Sequence, residues 1–509
     1  MAYILGTDIG TTGTKTMLFS EDGEILAAAY KGYKIIKGSN GFAEQNPEDW
    51  WRAVVHTVRE CLAGVGPAVK EDIGAIALST QGGSMVPVGT DGIPLSMAVS
   101  WMDTRASEQC RFFSENNEKD YFYLKTGWRL SNSLNLVQIK WLKDNKANIY
   151  NEAFKFISTI EYINFKLSGV FAGDLTNAGI TQLLDITSGK WDGRLMEMAG
   201  VDETRLGVLI RSGEVIGQLG KDAARELGLN PGVRVVSGGH DQYCAALGSA
   251  SVNSGDVLLS TGTAWVILGV SDKPVFDTSS YFSPGRHVIE GKWGSLASVP
   301  TGGVSLEWFR RNFAVKGEDE RGNTQSATFR EIDSYAEKSG AGAGGVMFYP
   351  HFCGAFCPNW SCGNKGSILG LDLSHDRYHI ARAVMEGVVY DVNWILETLL
   401  EKGIRIKKLK VLGGAAKSEL WTRIIADVTG MQVVLPSSAD AACVGAAVLA
   451  GIGAGIFTDA AEGCSRLVAV KREINPDRNT SIGYREYYKL YKQRFENLKN
   501  CYTKQLSVN

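Results

Sequence analysis

Apolar positions in this chain follow two patterns: short runs closed by Gly, Thr, Asp or Asn, and longer stripes at helical spacing. The runs predict buried strands, the stripes amphipathic helices. Tyr3 to Phe19 (YILGTDIGTTGTKTMLF) is the clearest run: it turns through Thr11-Thr12-Gly13-Thr14 and leaves as Lys15-Thr16-Met17-Leu18-Phe19, which predicts a β-hairpin. A third strand follows from Glu24 to Tyr30. Asn46-Pro47-Glu48-Asp49-Trp50 starts a helix, with an early Pro and acids in the first turn; the stripe Trp50, Val54, Val58, Leu62 carries it to about Ala63. Strand Ile73 to Ser79 ends at Thr80-Gln81-Gly82-Gly83, and strands Ser84 to Val88 and Ala98 to Asp103 come next. Residues 106–170 read as mostly helical, and Leu183 to Ile186 as a short strand.

The second half repeats the opening. Asp256 to Leu268 is strand, Gly/Thr turn and strand again, the design of residues 3–19. Two such hairpins imply a duplicated architecture, with one turn per half facing a shared cleft. Between them, Val233 to Ser237 predicts a strand running into Gly238-Gly239-His240-Asp241-Gln242, then a small-residue helix from Tyr243 to Leu247. Thr301-Gly302-Gly303 leads into a helix with Leu306, Trp308 and Phe309; residues 315–330 read as a charged, exposed excursion. Further expectations are strand Val346 to Tyr349, helix Tyr378 to Glu401, and strand Leu409 to Leu412 ending in Gly413-Gly414-Ala415-Ala416. Ser418 can cap a helix from Glu419 to Thr429, closed by Gly430. A small-residue helix, Ala441 to Ala450, and a terminal helix, Ile482 to Gln505, with a Tyr/Phe stripe complete the chain.

At 509 residues the chain exceeds what one core holds, so two domains are expected, 1–253 and 254–509. A net charge of −2 gives no electrostatic case for nucleic acid or an anionic membrane surface. No apolar run reaches the ~18 residues of a membrane span, and the chain starts directly in a strand without a signal-peptide pattern. Nine scattered cysteines suit a reducing compartment, so a cytoplasmic location is expected. His351, Cys353, Cys357 and Cys362 crowd one loop, but their spacing fits no standard zinc finger or ribbon.

The hairpin turn carries the candidate chemistry. Its glycines and successive N–H groups can form an anion-binding nest, threonine hydroxyls and Lys15 add donors and charge, and Asp8 offers a carboxylate suited to hydrated Mg²⁺. G-x-x-x-x-G-K-[ST] is absent and a strand follows, so this is neither a Walker A loop nor a dinucleotide fingerprint. An ordinary tight hairpin explains the same residues equally well. Trp101, Asp103 and Arg105 could meet a hydroxyl-rich ligand or form a plain surface salt bridge. Asp241, at a strand end beside glycines, is placed as a base; His240 before it reads as structural. The pair Gly413-Gly414 before a helix lets a flat ring or phosphate approach the backbone.

Taken together, the turns, the strand-end Asp and the duplicated halves resemble the FGGY carbohydrate kinases, xylulokinase-like members among them, from Asp8 to about Gly455. Asp8 to Lys15 looks like the family's first phosphate motif, Thr261-Gly262-Thr263 the second, and Gly413-Gly414-Ala415 with Ser418 the adenosine motif. Gly303 and Glu307 match nucleotide-side positions, Trp101-Met102-Asp103-Thr104-Arg105 the sugar-side segment, and Gly239-His240-Asp241-Gln242 the catalytic turn. Gly366 to Leu371, continuing to Glu386, follows the C-terminal signature. The resemblance implies two ribonuclease-H-like α/β domains of the actin-like ATPase superfamily around a central cleft.

It also implies an ATP-dependent kinase acting on a hydroxyl of a small sugar, a ketose, polyol or sugar acid. Asp241 would be the base and Asp8 the Mg²⁺ ligand. Thr11, Thr12, Gly13, Lys15, Gly262, Thr263, Gly303, Glu307, Gly414 and Ser418 would meet ATP; Gln81, Gly82, Gly83, Trp101, Asp103, Arg105, Asp241 and Gln242 would meet the sugar. A homodimer is an open expectation. An actin- or chaperone-like ATPase and a catalytically weak sugar sensor are the alternatives; the polyol-type cluster speaks against the first, and Asp8 with Asp241 against the second. Three departures bear on the substrate: Asn135 and Gln138 near Trp141, the loop Gly354 to Pro358, and Gly82-Gly83, where the family's xylulokinases and glycerol kinases carry side chains. Two glycines predict a wider pocket.

Overall fold

The structure, a computed structural model, describes residues 1–318, 324–438 and 440–505. Two large sheets organise it. The first contains β1 (Tyr3–Ile9), β2 (Gly13–Ser20), β3 (Ile25–Gly32), β4 (Ile73–Thr80), β5 (Val215–Gln218) and β6 (Arg234–His240), in the order β5-β6-β4-β1-β2-β3. The second contains β7 (Asp256–Thr261), β8 (Trp265–Ser271), β9 (Ser283–Arg286), β10 (Trp293–Val299), β11 (Lys408–Gly413), β12 (Val433–Pro436) and β13 (Val470–Ile474), in the order β9-β10-β8-β7-β11-β12-β13. In both, three antiparallel strands join two parallel ones: β3-β2-β1-β4-β6 and β10-β8-β7-β11-β12. The repeat read from the two hairpins is therefore a repeat of whole sheets, the doubled ribonuclease-H-like arrangement of the actin-like ATPases.

Local chemistry sets the helices. Asn46 caps α1 (Pro47–Ala63) by accepting from the Glu48 amide, and Trp50, Val54 and Val58 on its inner stripe are buried. Ser418 Oγ accepts from the Trp421 amide at 3.0 Å and starts the helix Glu419–Thr429, which Gly430 ends in a left-handed conformation. The terminal helix, Arg478–Gln505, buries Tyr484, Tyr488, Tyr491 and Phe495 against the second half. Of the charged excursion, Val315–Glu318 pairs with Thr324–Ser326, and 319–323 lie outside the described residues.

Two expected strands are shorter than their patterns imply. Only Ala98–Val99 pairs, because Asp103 folds back to accept the Ala43 amide and holds Ser100 to Asp103 in a turn. Likewise, Leu184–Asp185 is all that remains of the strand at 183–186.

Between the sheets cross two helices, α2 (Asp241–Gly248), continuing directly from β6, and α3 (Ala441–Ala454). Their side chains form one buried cluster with Ile4, Met17, Ala75 and Val236 of the first sheet and Leu258, Leu268, Val270 and Leu412 of the second. Backbones touch at the crossing: a Cβ at 445 would lie 1.9 Å from the Cys244 carbonyl oxygen, and one at 248 would lie 1.8 Å from that of Ala441. Only glycine permits this approach, because a backbone oxygen cannot swing aside as a side chain can.

Gly445→Ala should therefore force the helices apart, at a cost of about 1–3 kcal/mol by the usual scale of overpacking. Thermal melting of the ligand-free protein should show a lowered midpoint; an unchanged midpoint would mean the crossing yields freely.

Candidate active site

The crossing brings three carboxylates to one place. Asp8 stands one residue before the end of β1, beside Lys15 of β2 and Ser79 of β4 in register. Asp241 is the first residue of α2, and Asp440 directly precedes α3. Ser79 Oγ donates to Asp8 Oδ1 at 2.7 Å, and Lys15 Nζ meets Asp440 Oδ2 at 2.6 Å. Burial pushes the Asp8 carboxyl up to about 7, and the neighbouring charges of Asp241 and Asp440 push the same way against the Ser79 hydrogen bond and Lys15. Asp8, Lys15 and Asp440 line a cavity of about 260 Å³ together with Thr261, Gly262 and Gly413 of the second half. Both hairpins expected to face one cleft thus reach it, the first through Asp8 and Lys15 on the strands beside its turn and the second through Gly262 of its turn.

Each turn is braced from behind. Tyr33 Oη donates to the Gly10 carbonyl at 2.5 Å, the Tyr33 amide donates to Thr12 O at 3.0 Å, and Gln45 Nε2 donates to Thr11 O at 2.8 Å. Thr12 stays exposed while Gly13 is buried against the Tyr30 ring. On the other side, the Gly414 amide donates to Thr261 O at 2.7 Å and the Ala415 amide to Thr261 Oγ1 at 3.0 Å. Gly303, in the helix Gly302–Phe313, packs on the Gly262 carbonyl, and the Val304 amide donates to Thr263 O at 3.1 Å. Gly262, Thr263 and Gly414 remain exposed.

Two nucleotide-side expectations meet other partners. Ser418 Oγ is engaged as the helix cap, and hydrogen bonds from Arg310 and then Arg311 hold the Glu307 carboxyl down to about 2. On the sugar side, Arg105 donates to both Asp103 oxygens and, at 2.7 Å, to Glu44, while its guanidinium stacks on Phe42 at 3.7 Å. Asp103 is fully buried, so this trio braces the fold rather than leaving a free charge. Trp101 is 43% exposed, and its Nε1 donates to Thr11 Oγ1 at 3.1 Å, tying this segment to the first hairpin turn. Gln81 Nε2 donates to Gln45 Oε1 at 2.9 Å, leaving Gln81 Oε1 without a partner; Gln242 Oε1 is likewise unpartnered.

The glycine pair departs from expectation. A Cβ at 82 would meet His240 Cδ2 and Ile180 Cδ1, both at 2.6 Å, and Gly83, with φ +74°, lies under Leu134 and Trp101. The space is filled rather than widened. In the cysteine loop, His351 Nε2 meets Asp391 Oδ2 at 3.0 Å.

Comparison with known proteins bears on this arrangement directly. Residues 3–248 match the N-terminal domain of the FGGY family of carbohydrate kinases, and residues 257–454 match its C-terminal domain. The chain belongs to that family. This kinase is 28% identical over 503 residues to a xylulose kinase of Bacillus subtilis, covering 99% of this chain and 98% of that one. It is 28% identical over 513 residues to a gluconokinase of the same organism, covering 99% and 97%. A gluconate kinase from Lactobacillus acidophilus superposes with a TM-score of 0.90 at 25% identity, covering 99% of both chains. The enzyme is a sugar-phosphorylating phosphotransferase, and kinases of its family use ATP. Among the described residues, no helix is long and apolar enough to cross a membrane.

Asp440 escaped the sequence. It stands where a helix cap belongs but makes no capping bond, its carboxylate going to Lys15 instead. An acid before a small-residue helix was the only local signal.

The raised Asp8 carboxyl sets a pH dependence for the kinase free of metal and nucleotide. Unfolded, Asp8 ionises near its ordinary 3.8; folded, it holds its proton to about 7. Folding takes up a proton between these values, so stability is lost as pH rises through that window. The melting midpoint of Asp8→Asn minus that of wild type should therefore grow from near zero at about pH 4 to a plateau above about pH 7. A difference flat with pH would contradict the raised value.

Proposed function

We propose that this kinase transfers the γ-phosphoryl group of ATP to a hydroxyl of a small carbohydrate, a ketose, polyol or sugar acid, with Asp241 as general base. The observation that carries the assignment is Asp241 itself: it opens α2 beside Asp8, and its Oδ1 is buried without a hydrogen bond. The side chain is 31% exposed, so the rest of the carboxylate faces the cleft, where it can accept from an incoming hydroxyl. That proton passes to the Asp241 carboxylate as the hydroxyl oxygen forms its bond to phosphorus and the bond to the ADP oxygen breaks.

The residues around Asp8 fit Mg²⁺. Three carboxylates share one nearby lysine, and a dication would offset their repulsion. Among the described residues, no three His, Cys, Asp or Glu side chains are grouped to hold a metal ion, so an ion here would be held by Asp8 with water and phosphate. Bound there, Mg²⁺ would neutralise charge on the phosphates. Thr11, Thr12, Gly13 and Lys15 on one side, and Gly262 and Thr263 on the other, supply N–H, O–H and ammonium groups to the transferred phosphoryl. Gly303 supports the second turn, and Gly414 lies open to the nucleotide. The division into a sugar-side unit, 1–253, and a nucleotide-side unit, 254–509, belongs to the same reading.

Asp241→Asn should lower kcat by roughly 10² or more, the scale of lost acid–base help, while nucleotide affinity stays as in wild type. A coupled ADP assay with calorimetry decides it; near-full kcat would end the assignment. Asp8→Ala should abolish the magnesium dependence of turnover without unfolding the chain. ATP turnover must also depend on added carbohydrate in a panel of pentuloses, hexuloses, polyols and aldonates; sugar-independent hydrolysis would favour an ATPase.

A further inference from the structure

We propose that His240 is a positioning residue for the base and stands in for the side chain absent at position 82. The inference rests on the reading of Asp241 as the base. Four distances carry it. His240 Nε2 lies 3.3 Å from Asp241 Oδ1, close but out of hydrogen-bond alignment. The same ring occupies the volume beside Gly82, with Cδ2 2.6 Å and Nε2 3.0 Å from where a Cβ would stand. The His240 amide donates to Thr176 Oγ1 at 2.8 Å, and Thr176 in turn donates to Asp174, which caps its own short helix.

The backbone at 240 is thus anchored from the far side, independently of Asp241. With the backbone fixed, the ring is a rigid plate between Gly82 and the carboxylate. Burial leaves it little freedom, at 8% exposure, and Tyr243 packs edge-on with a 6.0 Å centroid distance. Ile180, the other neighbour of Gly82, meets it only through its terminal methyl, which can rotate away; an imidazole cannot. Gly82 and His240 therefore form a matched pair, in which a side chain at 82 and a histidine at 240 exclude each other.

What the ring does there follows from its chemistry. Asp241 Oδ1 has no hydrogen-bond partner. A rigid ring beside that oxygen limits carboxylate rotation, so the exposed part of the carboxylate stays aimed at the substrate hydroxyl. Misplacing a catalytic group by about 1 Å can cost about 10² in rate.

The test is a mutant cycle read in kcat and KM for sugar and for ATP, using the best substrate of the carbohydrate panel. His240→Leu should lower kcat about 10²-fold and leave KM for ATP unchanged. His240→Gln, whose amide can reach the Nε2 position, should recover at least tenfold of that loss. Gly82→Ala should impair the enzyme by displacing the ring, yet add no further loss on the His240→Leu background. Additive losses in the double variant, a failure of Gln to rescue, or wild-type kcat in His240→Leu would each overturn the proposal. A folding defect is told apart by the melting midpoint and by ATP KM, which a merely structural histidine would shift together with kcat. The base assignment is judged separately: an active Asp241→Asn sinks it, whereas an inactive Asp241→Asn with a fully active His240→Leu sinks only the role of His240.

Discussion

The backbone contact between α2 and α3 is the constraint on which the site depends. Helices with ordinary side chains pack with axes about 8–10 Å apart. Here glycines at 248 and 445 let carbonyl oxygens of the opposite helix occupy the place of a Cβ. Gly6 does the same for α3 against β1, where a Cβ would stand 2.0 Å from the Cys443 carbonyl oxygen. Each helix is entered through an acid, Asp241 for one and Asp440 for the other. Close crossing over β1 therefore delivers both acids to Asp8. A looser crossing would preserve both sheets and lose the cluster, so the glycines matter as much to the chemistry as to the packing.

Gathering carboxylates this way opposes stability. Burial and the repulsion of two like charges hold a proton on Asp8 near neutrality, and a single lysine offsets them. The cost is tolerable because the cluster lines a cavity, while the apolar packing under α1, between α2 and α3 and against the terminal helix carries the stability. Conflict of this kind is expected where a site must receive a highly charged substrate and its cation.

Much of the fold was legible because its signals are local. The Gly/Thr turns between apolar runs gave both hairpins, Asn46 and Ser418 gave their helix starts, and the Tyr/Phe stripe gave the buried face of the last helix. What was not legible depends on residues far apart in sequence. Asp440 matters through Lys15, which lies at the other end of the chain. Trp101 is shaped by Asp103 binding the Ala43 amide, a contact no periodicity announces. Gly82-Gly83 shows the limit most clearly. A sequence displays the loss of a side chain, whereas whether a pocket results depends on what fills the space, and here His240 and Ile180 do.

The duplicated sheets carry unequal chemistry at equal positions. In the first hairpin, Asp8 and Lys15 are cross-strand partners just before and after the turn; in the second, the corresponding partners are Ser260 and Val266. Four residues, Gly10 to Gly13, link the last pair of the first hairpin and three, Gly262 to Ala264, that of the second, so both keep a short turn while only the first keeps the charges. A symmetric pair of carboxylate turns would place like charges on both sides of the phosphates and repel them. Keeping charge on one side and neutral donors on the other gives the cleft a direction. On the proposed assignment the cation and base belong with the first sheet, near Gln81 and Trp101, and the second sheet presents the uncharged, exposed turn residues Gly262 and Thr263. On that assignment, an acceptor hydroxyl held by the first half would lie on the charged side of the phosphoryl group, where its proton can be taken.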